Sequence, residues 1–161
     1  MEDLQFMDAA LELAEQAAAE GEVPVGCVVV HKGQIVGQGR NRRETGKSAL
    51  AHAEIEAIHQ ACQTLGGWRL WECSLYVTLE PCPMCAGAIV NARIPRVVFG
   101  ASDKKCGACG SVCDLFSMEF NHRPQVVRGV REEACGKLLT SFFQDLRSRI
   151  GDRPKWQKPT E

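Results

Sequence analysis

Two short runs hold residue types that could do chemistry together: His52-Ala53-Glu54 and Pro81-Cys82-Pro83-Met84-Cys85. Cysteines at i and i+3 share one face of a helical turn, so both sulfurs can reach a single ion. His52 would supply a third ligand from a separate element. Three protein ligands leave a tetrahedral zinc with one open position, which distinguishes a catalytic site from a closed structural one. Two thiolates and a neutral imidazole balance the ion's charge, and zinc in such a site lowers the pKa of its water towards ~7. Glu54 stands close enough to reach that water without occupying the metal. It is expected to take the water's proton, then deliver protons to a ring nitrogen and a departing amine.

The order His-x-Glu followed by Pro-Cys-x-x-Cys is the signature of zinc-dependent nucleobase deaminases. A lone Cys-x-x-Cys would leave redox and structural-zinc readings open. Paired with His-x-Glu, and with each motif opening a helix, it points to one zinc per chain on His52, Cys82 and Cys85, with Glu54 as the catalytic carboxylate. A helix N-terminus also favours thiolate, because its partial positive charge and free N–H groups stabilise the anion.

The elements that must position these residues follow from periodicity. Met7, Ala10, Leu11, Ala14, Ala17 and Ala18 recur at helical spacing from Leu4 to about Glu20, and Gly21 and Pro24 end that helix. Val25 to His31 and Gln34 to Asn41, joined by Lys32-Gly33, predict a hairpin. Residues 42–50 read as a loop. A helix is expected from Ala51 to Leu65, with Ile55 and Ile58 inward and Gly66-Gly67 closing it. Strands are expected over 74–78, 96–101 and 125–130, and helices over 82–91 and from Glu132 to about Ile150. This order predicts a mixed sheet between helices. Residues 1–150 would form one deaminase domain, and 151–161 a flexible basic tail.

At 161 residues the chain is long enough for one domain with a real core. Hydrophobic residues make up 45% and charged residues 24%, an ordinary globular composition. The start, Met1-Glu2-Asp3-Leu4, lacks the features of a signal peptide, and no apolar run is long enough to span a bilayer. A cytoplasmic protein is therefore expected. Nine cysteines, an odd number, fit reduced thiols better than a disulfide framework. The formal net charge of −1 offers no bulk field for nucleic acid, so any RNA contact must come from local patches.

Beyond the zinc motifs, Ala51 to Glu54, Thr78 to Ala88, Arg96 to Gly100, Glu22 to Gly26, Asn121-His122-Arg123 and Phe142-Phe143 together resemble the bacterial tRNA adenosine deaminases. The resemblance runs from the first helix through Phe143. It implies a cytidine-deaminase-like three-layer α/β/α sandwich with a mixed five-stranded sheet, and a homodimer. The reaction it implies converts adenosine to inosine at the first anticodon position of a tRNA, so the partner would be the anticodon stem-loop. Carried over by position, Asn41 resembles the residue that hydrogen-bonds the flipped nucleoside, and Val25 and Ala53 sit where backbone groups line the base pocket. Asp103 matches the loop beside the site and is expected to accept a bond from a ribose 2′-hydroxyl, the group that marks RNA. Phe143 is expected to stack near the anticodon loop. Leu138, Leu139, Phe142, Phe143 and Leu146 form a stripe that core packing would equally explain.

Other residues invite weaker readings. Arg147, Arg149, Arg153, Lys155 and Lys158, against Asp152 alone, are candidates for phosphate contacts or a solvated terminus. Cys106, Cys109 and Cys113 depart from the family's pattern; spare thiols are the default, and a second zinc would need a fourth ligand such as His122. His59 reads as a helix-face residue, His122 as part of an RNA surface or dimer edge. Cys27, Cys62, Cys73 and Cys135 read as buried small residues. Two rival functions remain: deamination of a free base or nucleotide of the guanine or cytosine type, and a noncatalytic zinc-bearing RNA-binding subunit, against which Glu54 argues.

Overall fold

Apolar alternation decides the layers. In β1 (Gly26–His31), Cys27 and Val29 point to one side and Val28 and Val30 to the other, and all four are buried. The same division recurs in β3 (Cys73–Leu79), with Leu75 and Val77 opposite Tyr76, and in β4 (Arg96–Ala101), with Val97 and Phe99 opposite Val98. Strands apolar on both faces must be covered on both faces. Here α1 (Glu2–Ala19) and α4 (Glu132–Arg149) cover one side, and α2 (Ala53–Leu65) and α3 (Pro83–Asn91) the other. The edges are β2 (Gln34–Arg40) and β5 (Gln125–Arg128), in the order β2-β1-β3-β4-β5.

The computed structural model describes residues 2–149. The expected tail, with Arg153, Lys155 and Lys158, lies outside them. Strands β1, β2 and β3 pair antiparallel, and β3, β4 and β5 parallel. The sheet is therefore mixed and five-stranded, and the three-layer sandwich expected from the sequence is the fold observed. Boundaries moved by one or two residues. The second and third helices begin at Ala53 and Pro83, because His52 and Cys82 are extended N-caps, with ψ of 151° and 173°. Residues 129–130 lie outside β5, since Gly129 turns with a φ of 82°.

One expectation about α2 needs correction. Its buried face runs through Ala53, Glu54, Ala57, Ile58 and Ala61, and Ile55 is only partly covered. Small residues dominate because the helix lies directly on β2. A Cβ at Gly37 would stand 2.1 Å from the Ala57 carbonyl oxygen, and one at Gly39 would stand 2.3 Å from that of Ala53. These two glycines set how closely the start of α2 approaches the sheet. Gly66 ends the helix in the left-handed region, at φ 75°.

The start of α1 is fastened to the sheet by charge. The Arg96 guanidinium donates from both terminal nitrogens to the Asp3 carboxylate at 2.8 and 2.7 Å, and the Tyr76 hydroxyl donates at 2.8 Å. Arg96 holds the Asp3 carboxyl down at about 2, and Tyr76 is pushed up to about 12 by burial and by Asp3. A depressed carboxylate stabilises the fold above its unfolded pKa and loses that contribution as pH falls through the folded one. At neutral pH, Asp3→Asn is expected to cost about 1–2 kcal/mol, discounted for partial exposure. That difference should shrink between pH 4 and about pH 2, as urea midpoints taken across the range will show.

Candidate functional site

The two motifs meet because their helices begin side by side, α2 and α3 lying against each other on the same face of the sheet. His52 and Cys82 both occupy N-cap positions, and neither side chain caps its own helix. Both are free to turn towards each other. The His52 Nδ1 lies 3.6 Å from the Cys82 sulfur and 3.5 Å from the Cys85 sulfur. All three ligand atoms fall within 4.8 Å of one another.

This set fits a tetrahedral metal. Bond lengths of about 2.3 Å to sulfur and 2.0–2.1 Å to nitrogen, at tetrahedral angles, separate S and N by about 3.6 Å. Electrostatics point the same way. Its neighbour Cys85, then the His52 ring, bring the Cys82 thiol down to about 4. Cys85 is driven strongly upward by Cys82 and by burial. One thiolate forms readily, and a second beside it calls for a cation. His52 is raised, chiefly by Cys82. Among the described residues no other group of three such side chains is gathered in this way. Cys106 and Cys113 are exposed, Cys109 is buried, and the three do not converge.

Glu54, the second residue of α2, is 4% exposed. Burial raises its carboxyl to about 7 against the opposing pull of its own backbone N–H and of His52. A carboxyl poised there exchanges its proton near neutrality. It opens on a pocket of about 620 Å³ whose walls include His52 and Cys82. Val25, Asn41, Ala53, Asp103 and Phe143 line the same pocket. All of the site residues expected from sequence are therefore brought together, with Cys85 buried behind the wall.

Details differ from the sequence reading. The Asn41 amide is partly engaged, donating to the Val23 carbonyl at 3.3 Å and accepting from the Arg43 N–H at 3.1 Å. One Asp103 oxygen accepts from the N–H groups of Lys105 and Cys106 at 3.0 and 3.2 Å, so half of that carboxylate serves its own loop. Phe143 is 40% exposed and meets Phe142 edge-on, with centroids 5.5 Å apart. In α4 only Cys135 is fully buried, so the leucine and phenylalanine stripe is a half-covered surface. Arg149 pairs with Asp145 at 3.2 Å. His59 is exposed, His122 donates from Nε2 to the Ile94 carbonyl at 2.7 Å as a tie to the fold, and Cys62 is only partly buried.

Arg43, Lys104, Lys105 and Glu80, not expected from sequence, also line the pocket. The three cations have no ion-pair partner among the described residues. Their signal was the Lys104-Lys105 pair beside Asp103, masked by a chain-wide charge near zero. A buried Glu22 was missed too. Burial alone would raise its carboxyl; N–H groups of Thr45 and Glu44 lower it instead, binding the 42–50 loop that carries Arg43.

Residues 1–147 match the family model described as MafB19-like deaminase. The tRNA-specific adenosine deaminase of Bacillus subtilis (strain 168) is 49% identical over 92% of this chain and 92% of its own length. The enzyme of the same name from Streptococcus pyogenes serotype M18 (strain MGAS8232) is 44% identical, over 92% of this chain and 94% of its own. The chain belongs to the tRNA-specific adenosine deaminase family. Within that family, a solved structure from work on A-to-I editing by tRNA:A34 deaminases superimposes with a TM-score of 0.81 at 43% identity. That match covers 84% of this chain and 99% of the other. The guanine deaminase of Nitrosomonas europaea shares the fold alone, at 24% identity and a TM-score of 0.70 over 86% of this chain and 83% of its own.

Removing one sulfur should break the metal set without unfolding the sheet. Cys85→Ser is expected to lose zinc to a chelator that leaves the wild type loaded, whereas Glu54→Ala keeps its zinc; elemental analysis distinguishes them.

Proposed function

We propose that this protein hydrolyses adenosine to inosine at the first anticodon position of tRNA, with zinc on His52, Cys82 and Cys85. The observation that carries the polynucleotide half of this reading is the pocket's rim. Arg43, Lys104 and Lys105 have no ion-pair partner among the described residues and line a cavity that also holds the buried Glu54. Free cations at a base-sized opening suit phosphates on either side of an extruded nucleotide. A free purine would have no use for them.

Bound at the His52, Cys82 and Cys85 set, zinc would supply the Lewis acidity that lets water lose a proton near neutral pH. Glu54 takes that proton and passes it to the adenine ring nitrogen as C6 is attacked, then takes the remaining proton from the new C6 hydroxyl and delivers it to the departing amine as the C–N bond breaks. Adenosine and water thus become inosine and ammonia. Asn41, with the Val25 and Ala53 backbone, orients the base, since an amide offers both a donor and an acceptor. Phe143 stacks on the neighbouring loop. The Asp103 oxygen that does not accept from Lys105 and Cys106 accepts from a ribose 2′-hydroxyl.

We also infer a homodimer in the cytoplasm. Val112, Met118 and Phe120 are 60%, 52% and 46% exposed around the 3-10 turn at Leu115–Ser117, which packs beside α3. Large apolar side chains exposed within one short segment suit burial against a second copy. Light scattering should return twice the chain mass, and a monomer mass would retire this assignment. The nine free thiols fit a reducing compartment, and among the described residues no helix is long and apolar enough to cross a membrane.

The deciding assay offers the zinc-loaded protein an anticodon stem-loop with adenosine at the first position, beside free guanine and free cytidine. Inosine from the stem-loop alone is expected. Glu54→Ala should abolish it while retaining zinc and RNA binding. Ala at Lys104 and Lys105 together should weaken binding and flatten its salt dependence, by a slope of about 0.7 per lost phosphate contact. Asp103→Asn should narrow the preference for RNA over a DNA stem-loop. Turnover of guanine or cytidine in place of the RNA would assign the enzyme to the free-base class.

A further inference from the structure

Glu80 is a charged residue with 3% exposure, placed two positions before the first cysteine of the metal set. Nothing in the chemistry described above uses it. Its backbone N–H donates to the Ala101 carbonyl at 2.8 Å, where β3 runs parallel to β4. Its side chain then does something a strand-end residue does not need to do. One carboxylate oxygen accepts from the Asp103 N–H at 3.1 Å and from the Ser111 hydroxyl. The other accepts from the N–H groups of Cys109 and Ser111 at 3.0 and 3.1 Å. Four donors, drawn from both ends of one loop, converge on a single buried anion.

That loop, residues 102–111, carries Ser102, Asp103, Lys104, Lys105 and Cys106 on the pocket wall. Its other ties run within the loop and to the segments after it, where the Leu115 N–H donates to the Ala108 carbonyl at 2.8 Å and the Arg128 guanidinium to the Cys109 carbonyl at 2.9 Å. Gly107 N–H donates to the Asp103 carbonyl at 2.9 Å, and Asp103 caps Lys105 and Cys106. One further strut reaches the metal-ligand turn, from the Ala108 N–H to the Pro81 carbonyl at 2.9 Å. Gly107 lies so close that a Cβ there would stand 2.3 Å from a Glu80 oxygen and 2.5 Å from the Asp103 carbonyl. The loop is wrapped around the carboxylate.

The geometry points to Glu80 as a positioning residue: its buried carboxylate fixes the substrate-facing loop 102–111 to the turn that presents Cys82. Hydrogen bonds to a charged acceptor are the strong ones, and a ring of inward N–H groups around an anion is a rigid arrangement. Glu80 is outside the His52, Cys82 and Cys85 set, and the proposed reaction takes no proton from it. Its effect travels through Asp103, Lys104 and Lys105, so it governs how the RNA is held more than how the base is hydrolysed. The inference rests on the proposed reaction on RNA.

Glu80→Gln keeps the size but turns an NH2 group towards amide donors, and Gly107→Ala pushes the loop away while leaving the carboxylate intact. Ser111→Ala removes one donor of four. With zinc-loaded protein and the anticodon stem-loop, Glu80→Gln and Gly107→Ala should each raise KM about tenfold or more, a loss of about 1.4 kcal/mol in binding. kcat and zinc content should change much less, and Ser111→Ala should fall between. Amide exchange at Asp103, Cys109 and Ser111 is expected to speed up in all three variants. A fall in kcat with no rise in KM would make Glu80 a support for the metal turn and overturn its role towards substrate. Unchanged exchange in Glu80→Gln would overturn the loop role whatever the activity. Should Glu80→Gln not fold, Gly107→Ala and Ser111→Ala carry the same test. A wild type that ignores the stem-loop defeats the functional reading instead, and the exchange data then still judge the anchor.

Discussion

Two helices begin within reach of one another, and their first residues face inward. Because His52 and Cys82 leave their own helix ends uncapped, the imidazole and both sulfurs are free to gather at tetrahedral-edge distances. Everything else in the molecule serves that meeting. Alternating apolar strands give a sheet that both helix layers can cover. Gly37 and Gly39 let α2 press onto β2, which sets where His52 and Glu54 stand. The parallel step from β3 to β4 requires a crossover, and that crossover is α3, so Cys82 and Cys85 lie at the carboxyl end of β3. Sites in open α/β sheets lie at that end.

Burial then sets the chemistry. A carboxyl and two thiols held in a dry corner beside an imidazole cannot all ionise as they would in water. The strain is relieved in two ways, by keeping Glu54 near its proton-exchange range and by making the thiol pair receptive to a cation. The same low exposure that makes Glu54 a useful proton carrier makes the site costly without its ion.

Local pattern carried most of this into the sequence. The two motifs, the strand alternation and the glycine stops act within a few residues of themselves, and each can be read along the chain. The cap positions could not be fixed to the residue, because a helix start depends on backbone angles that the motif alone does not set. Ile55 was misplaced for a related reason: helical spacing allows a face through Ile55 as readily as through Ala57, and the glycines of β2 select the small residues. Glu22 and Glu80 were invisible as anchors. Both are acidic residues, ordinarily exposed, and their donors lie 22 to 31 positions away. Only the fold brings them there.

These two carboxylates also explain how a chain of net charge −1 can present a cationic rim. Arg43 sits in the loop that Glu22 holds, and Lys104 and Lys105 sit in the loop that Glu80 holds. In each case the backbone N–H groups turn inward to the buried anion, and the basic side chains turn to the pocket. Inward anions fix the loops through short-range, desolvated bonds, while the cations keep a longer-range field for a polyanion. The guanine deaminase of Nitrosomonas europaea shares the sheet and helix layers, so the fold alone cannot select a substrate. Selection must then reside in loops such as these, and a loop held by one buried charge can change its side chains without changing its course.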